Sequence, residues 1–536
     1  MPTFTSLPLD IQQHIISYLI PIRDVAALSI QNKSLHRLCD MEMRRMYHSV
    51  KIKGTRGSVD TAFDLLMDIL RRPALGHYIR HIEVRAQEPR HVQYTEQKPQ
   101  RELDENDVHL LRAAIRTAGF ADQENRVLNM LLRRISHNST RWGSTTPDLV
   151  FIPQALSALI VSVSPFLESM SMTPMGQYYD ASPGIAPWPK GHYPLDELLR
   201  SVNSNPGKHF PYLQNLRDVY IINNPDDTYQ DDRFYTPMDF FTPISTICNL
   251  PSIESVGTDV LEEDEGGLPG LEPQSSDISR IAVHHSSISS SYFVSLICSC
   301  KRLRDLGYSV GGRSTIDTGY PHFNPKPVIR ALLYHTNTLE ILDLDVDSYI
   351  HHFDPQFDEA DAIQDFDSNE HMDYEETGRN VLPTIRQQKG SLRDFSALKH
   401  LSVGVGFLFY FAKGIDVDTE SDSEREFRLI DHIPPNLEYL CIRGYKKGES
   451  PGRDPVIEEL VEAIRSGRLE LEVAGVEEPI PNAENVDDPD GEPHLLWMPG
   501  KRDSSGETDE EEEEEDDDDD DGGEDESDLD EENGDD

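Results

Sequence analysis

What this chain has least of is positive charge. Its 536 residues carry 49 Lys and Arg against 98 Asp and Glu, a formal net charge of −49 at pH 7. Nucleic-acid phosphates and anionic lipid head groups both need cationic neutralisation, so neither direct nucleic-acid binding nor attachment to a membrane is expected. Cysteine is sparse as well. Cys39, Cys248, Cys298, Cys300 and Cys441 are odd in number, and their spacing fits neither a disulfide framework nor a zinc site. A reducing compartment, cytoplasmic and/or nuclear, is the expectation from that usage. Long apolar runs are missing: those around Ala155–Val163 and Val403–Phe411 are too short to span a bilayer. No basic segment followed by an apolar one stands at the N-terminus, so no secretory signal is expected. The sequence holds no G-x-x-x-x-G-K-[ST], no G-x-S-x-G and no H-E-x-x-H, so no enzymatic activity, metal or cofactor is expected either.

The acid is unevenly placed. Asp503 to Asp536 holds 24 acidic residues, Asp345 to Glu376 holds 12 and Asp259 to Glu272 holds 6, none of them opposed by Lys or Arg. These segments account for nearly all of the excess, and the rest of the chain is close to balanced. Hydrophobic residues make up 37% of the whole, enough for a large core. The length suggests about three to four domain equivalents, or one long repeat array.

Residues 4–52 read as three short helices. The first opens at Leu7-Pro8-Leu9-Asp10. Pro8 suits a first turn, where its missing N–H would be unpaired anyway, and Asp10 sits near the positive end of the helix dipole. Leu7, Ile11, Ile15, Tyr18 and Leu19 recur at three- and four-residue steps and share a face, while Ile16 and Ile20 fall on another. Pro21 ends this helix. A second is expected from Arg23, with Val25 and Leu28 three apart, and a third from about Lys33 to Tyr47. Three such helices bury too little to be stable alone. The first carries more apolar residues than one internal face needs, so the rest of the chain or a partner must cover the second face.

The ordered set Leu7-Pro8-Leu9-Asp10-Ile11, Ile15, Tyr18-Leu19, Asp24-Val25, Leu28 and Lys33-Ser34-Leu35-His36, closing at Tyr47-His48-Ser49-Val50, resembles an F-box in its fungal form. It departs from many members in reading Leu35-His36-Arg37-Leu38 where a Trp is common. The resemblance implies docking on the Skp adaptor of a cullin-RING ubiquitin ligase. Leu7, Pro8, Ile11, Ile15, Tyr18, Leu19, Val25 and Leu28 would be the adaptor contacts. A plain helical cap over a repeat array would show the same amphipathic helices, but not the Leu-Pro start or this spacing.

From Leu167 onward one pattern returns: an apolar residue, two others, an apolar residue, one other, an apolar residue. Leu167-x-x-Met170-x-Met172 is the first, then Leu216-x-x-Val219-x-Ile221, Ile253-x-x-Val256, Ile278-x-x-Ile281-x-Val283 and Leu303-x-x-Leu306-x-Tyr308. Leu339-x-x-Leu342-x-Leu344, Leu398-x-x-Leu401-x-Val403 and Leu437-x-x-Leu440-x-Ile442 follow. The alternating end of each unit signals a strand, and helical patterns lie between. The set resembles an irregular leucine-rich-repeat array of the kind found behind fungal F-boxes. Regular repeats of that class run about 20 to 29 residues. Ile253, Ile278 and Leu303 keep such a step, and the longer steps hold inserts such as Pro183-Gly-Ile-Ala-Pro-Trp-Pro and the acidic run from Asp345. An ordinary α/β domain would yield similar short apolar runs. The expected class is therefore α/β: a three-helix F-box at 4–52 and a junction at 53–166, mostly helical with a first strand near 79–84. A leucine-rich-repeat-like solenoid follows at 167–475, with acidic inserts at 259–272 and 345–376. A disordered tail occupies 476–536, polyacidic from 503, because unbroken carboxylates repel one another and carry no apolar residues for a core.

Asp343-x-Asp345-x-Asp347 is the candidate recognition patch. Strand alternation puts the three carboxylates opposite Leu342 and Leu344, on the face that is concave and partner-binding in a repeat array. A solvated acidic ridge is the plainer alternative, and a ligand there should be basic. His284-His285 and His351-His352 are adjacent pairs whose side chains diverge, poor metal sites. Cys298-Ser-Cys300 reads as buried helical thiols, and the Gly404-Val-Gly406 pair as packing. The functional expectation is a non-catalytic substrate adaptor of an SCF-type ligase. It would bind the Skp adaptor, and through it the cullin complex, at one end and a protein substrate at the other. The alternative is a repeat-based binding or chaperone protein for basic clients, acting through its acidic tail.

Overall fold

A computed structural model describes residues 22–85, 101–133, 148–174, 193–223, 234–264, 270–314, 323–350, 381–415 and 427–483, short gaps apart, with scattered positions between 4 and 16. Tyr18, Leu19, residues 86–100, the His351-His352 pair, most of the 345–376 insert and the polyacidic tail lie outside the described residues.

Alternating apolar residues create the strands, and thirteen are described. In chain order they are β1 (Ser49–Lys53), β2 (His81–Arg85), β3 (Ser169–Met172), β4 (Asp218–Ile221), β5 (Thr236–Met238), β6 (Ser255–Asp259) and β7 (Leu261–Glu263). Then come β8 (Arg280–His284), β9 (Asp305–Ser309), β10 (Ile341–Asp345), β11 (His400–Gly404), β12 (Tyr439–Arg443) and β13 (Glu472–Ala474). Eleven of them form one sheet in the order β1-β2-β3-β4-β6-β8-β9-β10-β11-β12-β13. Each neighbouring pair is parallel. β5 and β7 pair separately, also in parallel.

The register explains the order. Val50, Ile82, Met170, Val219, Val256, Ile281, Leu306, Leu342, Leu401, Leu440 and Val473 stand opposite one another in a single row across the sheet. A slip of one residue in any strand would turn its apolar pair out of the core, so the row pins the register. The leading residue of each unit, Leu167, Leu216, Ile253, Ile278, Leu303, Leu339, Leu398 and Leu437, is also buried. Parallel neighbours need crossover connections, and helices supply them. Helices Pro194–Asn203, Ser290–Ser299, Pro325–Leu332, Val405–Lys413 and Asp454–Arg465 place their buried residues in the same core as the apolar row. The chain is thus a mixed α/β protein built on a large parallel sheet. Among the described residues, no helix is long and apolar enough to cross a membrane.

Three expectations are corrected. The sheet begins earlier than the expected first strand near 79–84: Tyr47-x-x-Val50-x-Ile52 and Ile79-x-x-Ile82-x-Val84 carry the same unit, and β1 pairs with β2. Ser49-Val50, the close of the F-box-like set, therefore start the sheet, while Tyr47 and His48 stay helical. That third helix is two, Lys33–Cys39 and Met41–His48, broken where Asp40 takes a left-handed backbone at φ 48. Within the mostly helical junction, the apolar stretch from Val108 to Ile135, expected to be one helix, is also two, Glu105–Thr117 and Glu124–Leu131. Gly119 at φ 97 ends the first, and the Phe120 N–H donates back to Ile115 O at 3.0 Å, the hydrogen bonding of a Schellman cap.

The residue just before each strand forms a column of its own. Along it stand Arg80, Glu168, Arg217, Glu254, Ser279, Arg304, Glu340, Lys399 and Glu438, each main-chain N–H donating to the carbonyl of the one before. Charge alternates along it except at Ser279. Arg80 pairs with Glu168 at 3.0 Å, and Glu340 takes Arg304 at 2.7 Å and Lys399 at 3.9 Å.

Candidate docking surfaces

The N-terminal helices make a small core and leave part of their apolar surface outside it. Ile16, Val25 and Cys39 are buried together, with Phe4, Leu28, Leu38 and Met41 packed around them. The first turn closes where the Gln12 N–H donates to Pro8 O at 3.0 Å, and the Gln12 side chain caps Leu7 O at 2.6 Å. Pro8 is exposed and Leu7 half-buried, while Ile11 and Ile15 are 42% and 39% exposed. Six large hydrophobic residues are exposed among those described. Four of them, Ile11, Ile15, Ile30 and Met46, lie in this region. Val25 does not join that ledge: its side chain is spent in the small core, and Leu28 is half-buried against it.

Arg44 fastens these helices to the sheet. Its guanidinium donates to Cys39 O at 2.8 Å and Ile16 O at 3.4 Å and lies 4.7 Å from the centre of the Tyr78 ring. Burial draws the Arg44 pKa down and pushes the Tyr78 hydroxyl up. Tyr78 ends the 3-10 turn Pro73–Tyr78 that leads into β2, so the first helix and the sheet share one cation. Sequence reading missed Arg44, because its three partners lie at unrelated spacings.

The aspartate triplet is neither a solvated ridge nor a single patch. β10 stops at Asp345, and Val346 turns the chain into the 3-10 turn Asp347–Tyr349. Asp347 therefore leaves the strand's face and caps the helix Val405–Lys413, accepting from the N–H groups of Gly406 at 2.7 Å and Phe407 at 3.1 Å. A Cβ at Gly404 would collide with that carboxylate, which gives the glycine pair its role. Asp345 is buried and accepts from Ala483 N–H at 3.0 Å. Buried Arg443 reaches Asp343 at 2.8 Å and Asp345 at 3.6 Å. Burial pushes both the Asp345 and the Asp347 carboxyls up to about 6, against their hydrogen-bond donors. Of the three, Asp343, half-buried, and Asp345 keep the polar side of β10, both facing Arg443, and Asp347 alone leaves it.

That polar face is the second surface. Across β4, β6, β8, β9 and β10 the row next to the apolar one reads Tyr220, Gly257, Ala282, Gly307 and Asp343. The glycines admit rings. A Cβ at Gly257 would come 3.3 Å from the Tyr220 ring, and one at Gly307 would come 3.2 Å from His284. Tyr220 hydrogen-bonds Asp259, which together with burial raises its hydroxyl pKa. Burial lowers both His284 and His285, keeping the pair neutral at pH 7. Among the described residues, no group of three or more His, Cys, Asp or Glu is placed to hold a metal ion. Cys298 and Cys300 are buried free thiols at the end of a helix, with burial pushing them to about 11 and about 12, far from reactive thiolates.

The chain matches no protein-family model, and no curated protein matches it.

Proposed function

We propose that this protein is a non-catalytic substrate adaptor of an SCF-type ubiquitin ligase. In this reading the N-terminal helices are an F-box held by the Skp adaptor, and the parallel sheet is an irregular leucine-rich-repeat array that holds a protein substrate. The observation that carries it is the ledge of Pro8, Ile11 and Ile15, which stays bare while Ile16, Val25 and Cys39 fill the small core. A helix that served only to cap the array would turn its apolar residues inward. The sheet supports the second half: one strand per unit, all parallel and in chain order, is the arrangement such a repeat implies. The chemistry is proximity. A substrate lysine held beside a charged conjugating enzyme reacts at raised effective concentration, with no bond broken by this chain.

Capture of the full chain by immobilised Skp adaptor tests the reading. Capture is expected, and Leu7→Ala with Pro8→Ala should abolish it. A folded chain that the adaptor does not capture moves the assignment to a binding protein for basic clients, in which the acidic tail is the working part.

A further inference from the structure

Among the described residues, the large hydrophobic ones exposed outside the N-terminal helices are Tyr220 and Ile341, 39% and 37% exposed, and both lie on the polar side of the sheet. They stand on β4 and β10, with the small residues Gly257, Ala282 and Gly307 on the strands between. Four strand-to-strand steps of about 4.8 Å separate them, roughly 19 Å in all. That is the reach of about six residues of extended chain. The charge over this stretch has one dominant sign. Asp218, Asp259, Asp305 and Asp343 line it; Arg280 is the cation these strands present on that side, and Arg443 from β12 pairs with Asp343, so four carboxylates meet two cations. Burial, with Asp343 and Glu340 adding to it, raises the Asp305 carboxyl against the nearby Arg280 guanidinium, and a further cationic side chain would favour its charged form.

We propose that the polar face between β4 and β10 binds a positively charged, extended peptide segment of the substrate, with Tyr220 and Ile341 as apolar contacts at its two ends and Asp218 and Asp305 facing its cations. The proposal rests on the adaptor reading for the word substrate. The surface itself needs no ligase. The electrostatics set sign and encounter rate, and the two apolar anchors set position.

The test uses the full chain and a fluorescent six-residue peptide of alternating Lys and Leu, carrying a photo-crosslinker, with a Glu-Leu counterpart as control. Binding of the Lys-Leu peptide is expected, with crosslinks on β4 to β10. The Tyr220→Ala, Asp305→Asn double variant should weaken it at least tenfold while circular dichroism stays unchanged. Ile341→Ala alone should weaken it severalfold. Crosslinks confined to 351–380 or 503–536, with affinity untouched by these substitutions, would overturn the proposal. So would equal binding of the Glu-Leu peptide. No adaptor is present in the assay, so a failed capture by Skp and a failed peptide titration are separate results.

Discussion

Arg443 Nη1 lies 2.8 Å from Asp343 Oδ1, joining the end of β12 to the middle of β10 across the intervening β11. The same guanidinium reaches Asp345, so one buried cation balances two carboxylates. Removing one partner of such a buried set leaves charge uncompensated and costs about 3–5 kcal/mol. Arg443→Met is expected to lose stability on that scale in urea unfolding. Adding Asp345→Asn to the same chain should restore part of it. A variant as stable as the native chain would show that the ion set does not hold these strands together.

The pH dependence has a definite sign. Asp345 and Asp347 titrate at about 6 in the folded chain, above the ordinary carboxyl value, because burial opposes their charge. The folded state therefore holds protons that the unfolded state has already released. The contribution of these two groups is most favourable below the unfolded pKa and is lost as pH rises through about 6. Asp345→Asn should thus change stability differently at pH 7.5 and at pH 5, the native chain gaining relative to the variant on acidification. Two urea curves at each pH decide it, and an identical difference at both pH values would contradict the assignment.

Two glycines separate close packing from open space. At Gly404 a Cβ would strike the Asp347 carboxylate, whereas at Gly57, near the start of helix Arg56–Arg71, nothing lies within 4 Å. Gly404→Ala should cost about 1–3 kcal/mol through overpacking and a displaced helix cap. Gly57→Ala should be neutral or stabilising by up to about 1 kcal/mol, since alanine is the better helix former. Paired thermal melts report both, and a harmless Gly404→Ala would remove the close approach from the account.

The two faces of the sheet should answer truncation oppositely. Leu306 is fully buried in the apolar row, and Ile341 is exposed on the other side one strand away. Leu306→Ala is expected to destabilise by about 2–5 kcal/mol. Ile341→Ala should stay within about 0.5 kcal/mol of the native chain, as surface changes do. Comparable losses at both positions would mean that the second face is covered.

The repeated apolar unit made most of the sheet legible, because burial of Leu306, Leu342 or Leu401 is local information written at fixed spacing. The first strand escaped because Tyr47 stands where the unit usually has a leucine, and because Val50 and Ile52 were absorbed into the end of the helical segment, whereas the second was legible near 79–84. The fate of Asp345 and Asp347 was not legible for a different reason. Alternation assigns a side to each residue of a strand, but it cannot say where the strand stops. Nor can it show that Arg443, Gly406 and Ala483, all far along the chain, converge on those carboxylates. Arg44 shows the same limit at the N-terminus, where the apolar period was readable but the cation binding the helices to Tyr78 was not. Val25 kept the expected period and turned inward, since period fixes a face and not its occupant.

The account stands or falls on what covers Ile11 and Ile15. Calorimetric titration of the full chain with purified Skp adaptor measures this directly. The expected result is one-to-one binding with a negative heat-capacity change, the mark of apolar burial, and its loss in the Ile11→Asp, Ile15→Asp double variant with the fold intact. No heat of binding to the native chain, or binding that the double variant leaves unchanged, would contradict the assignment of that ledge as the adaptor's seat.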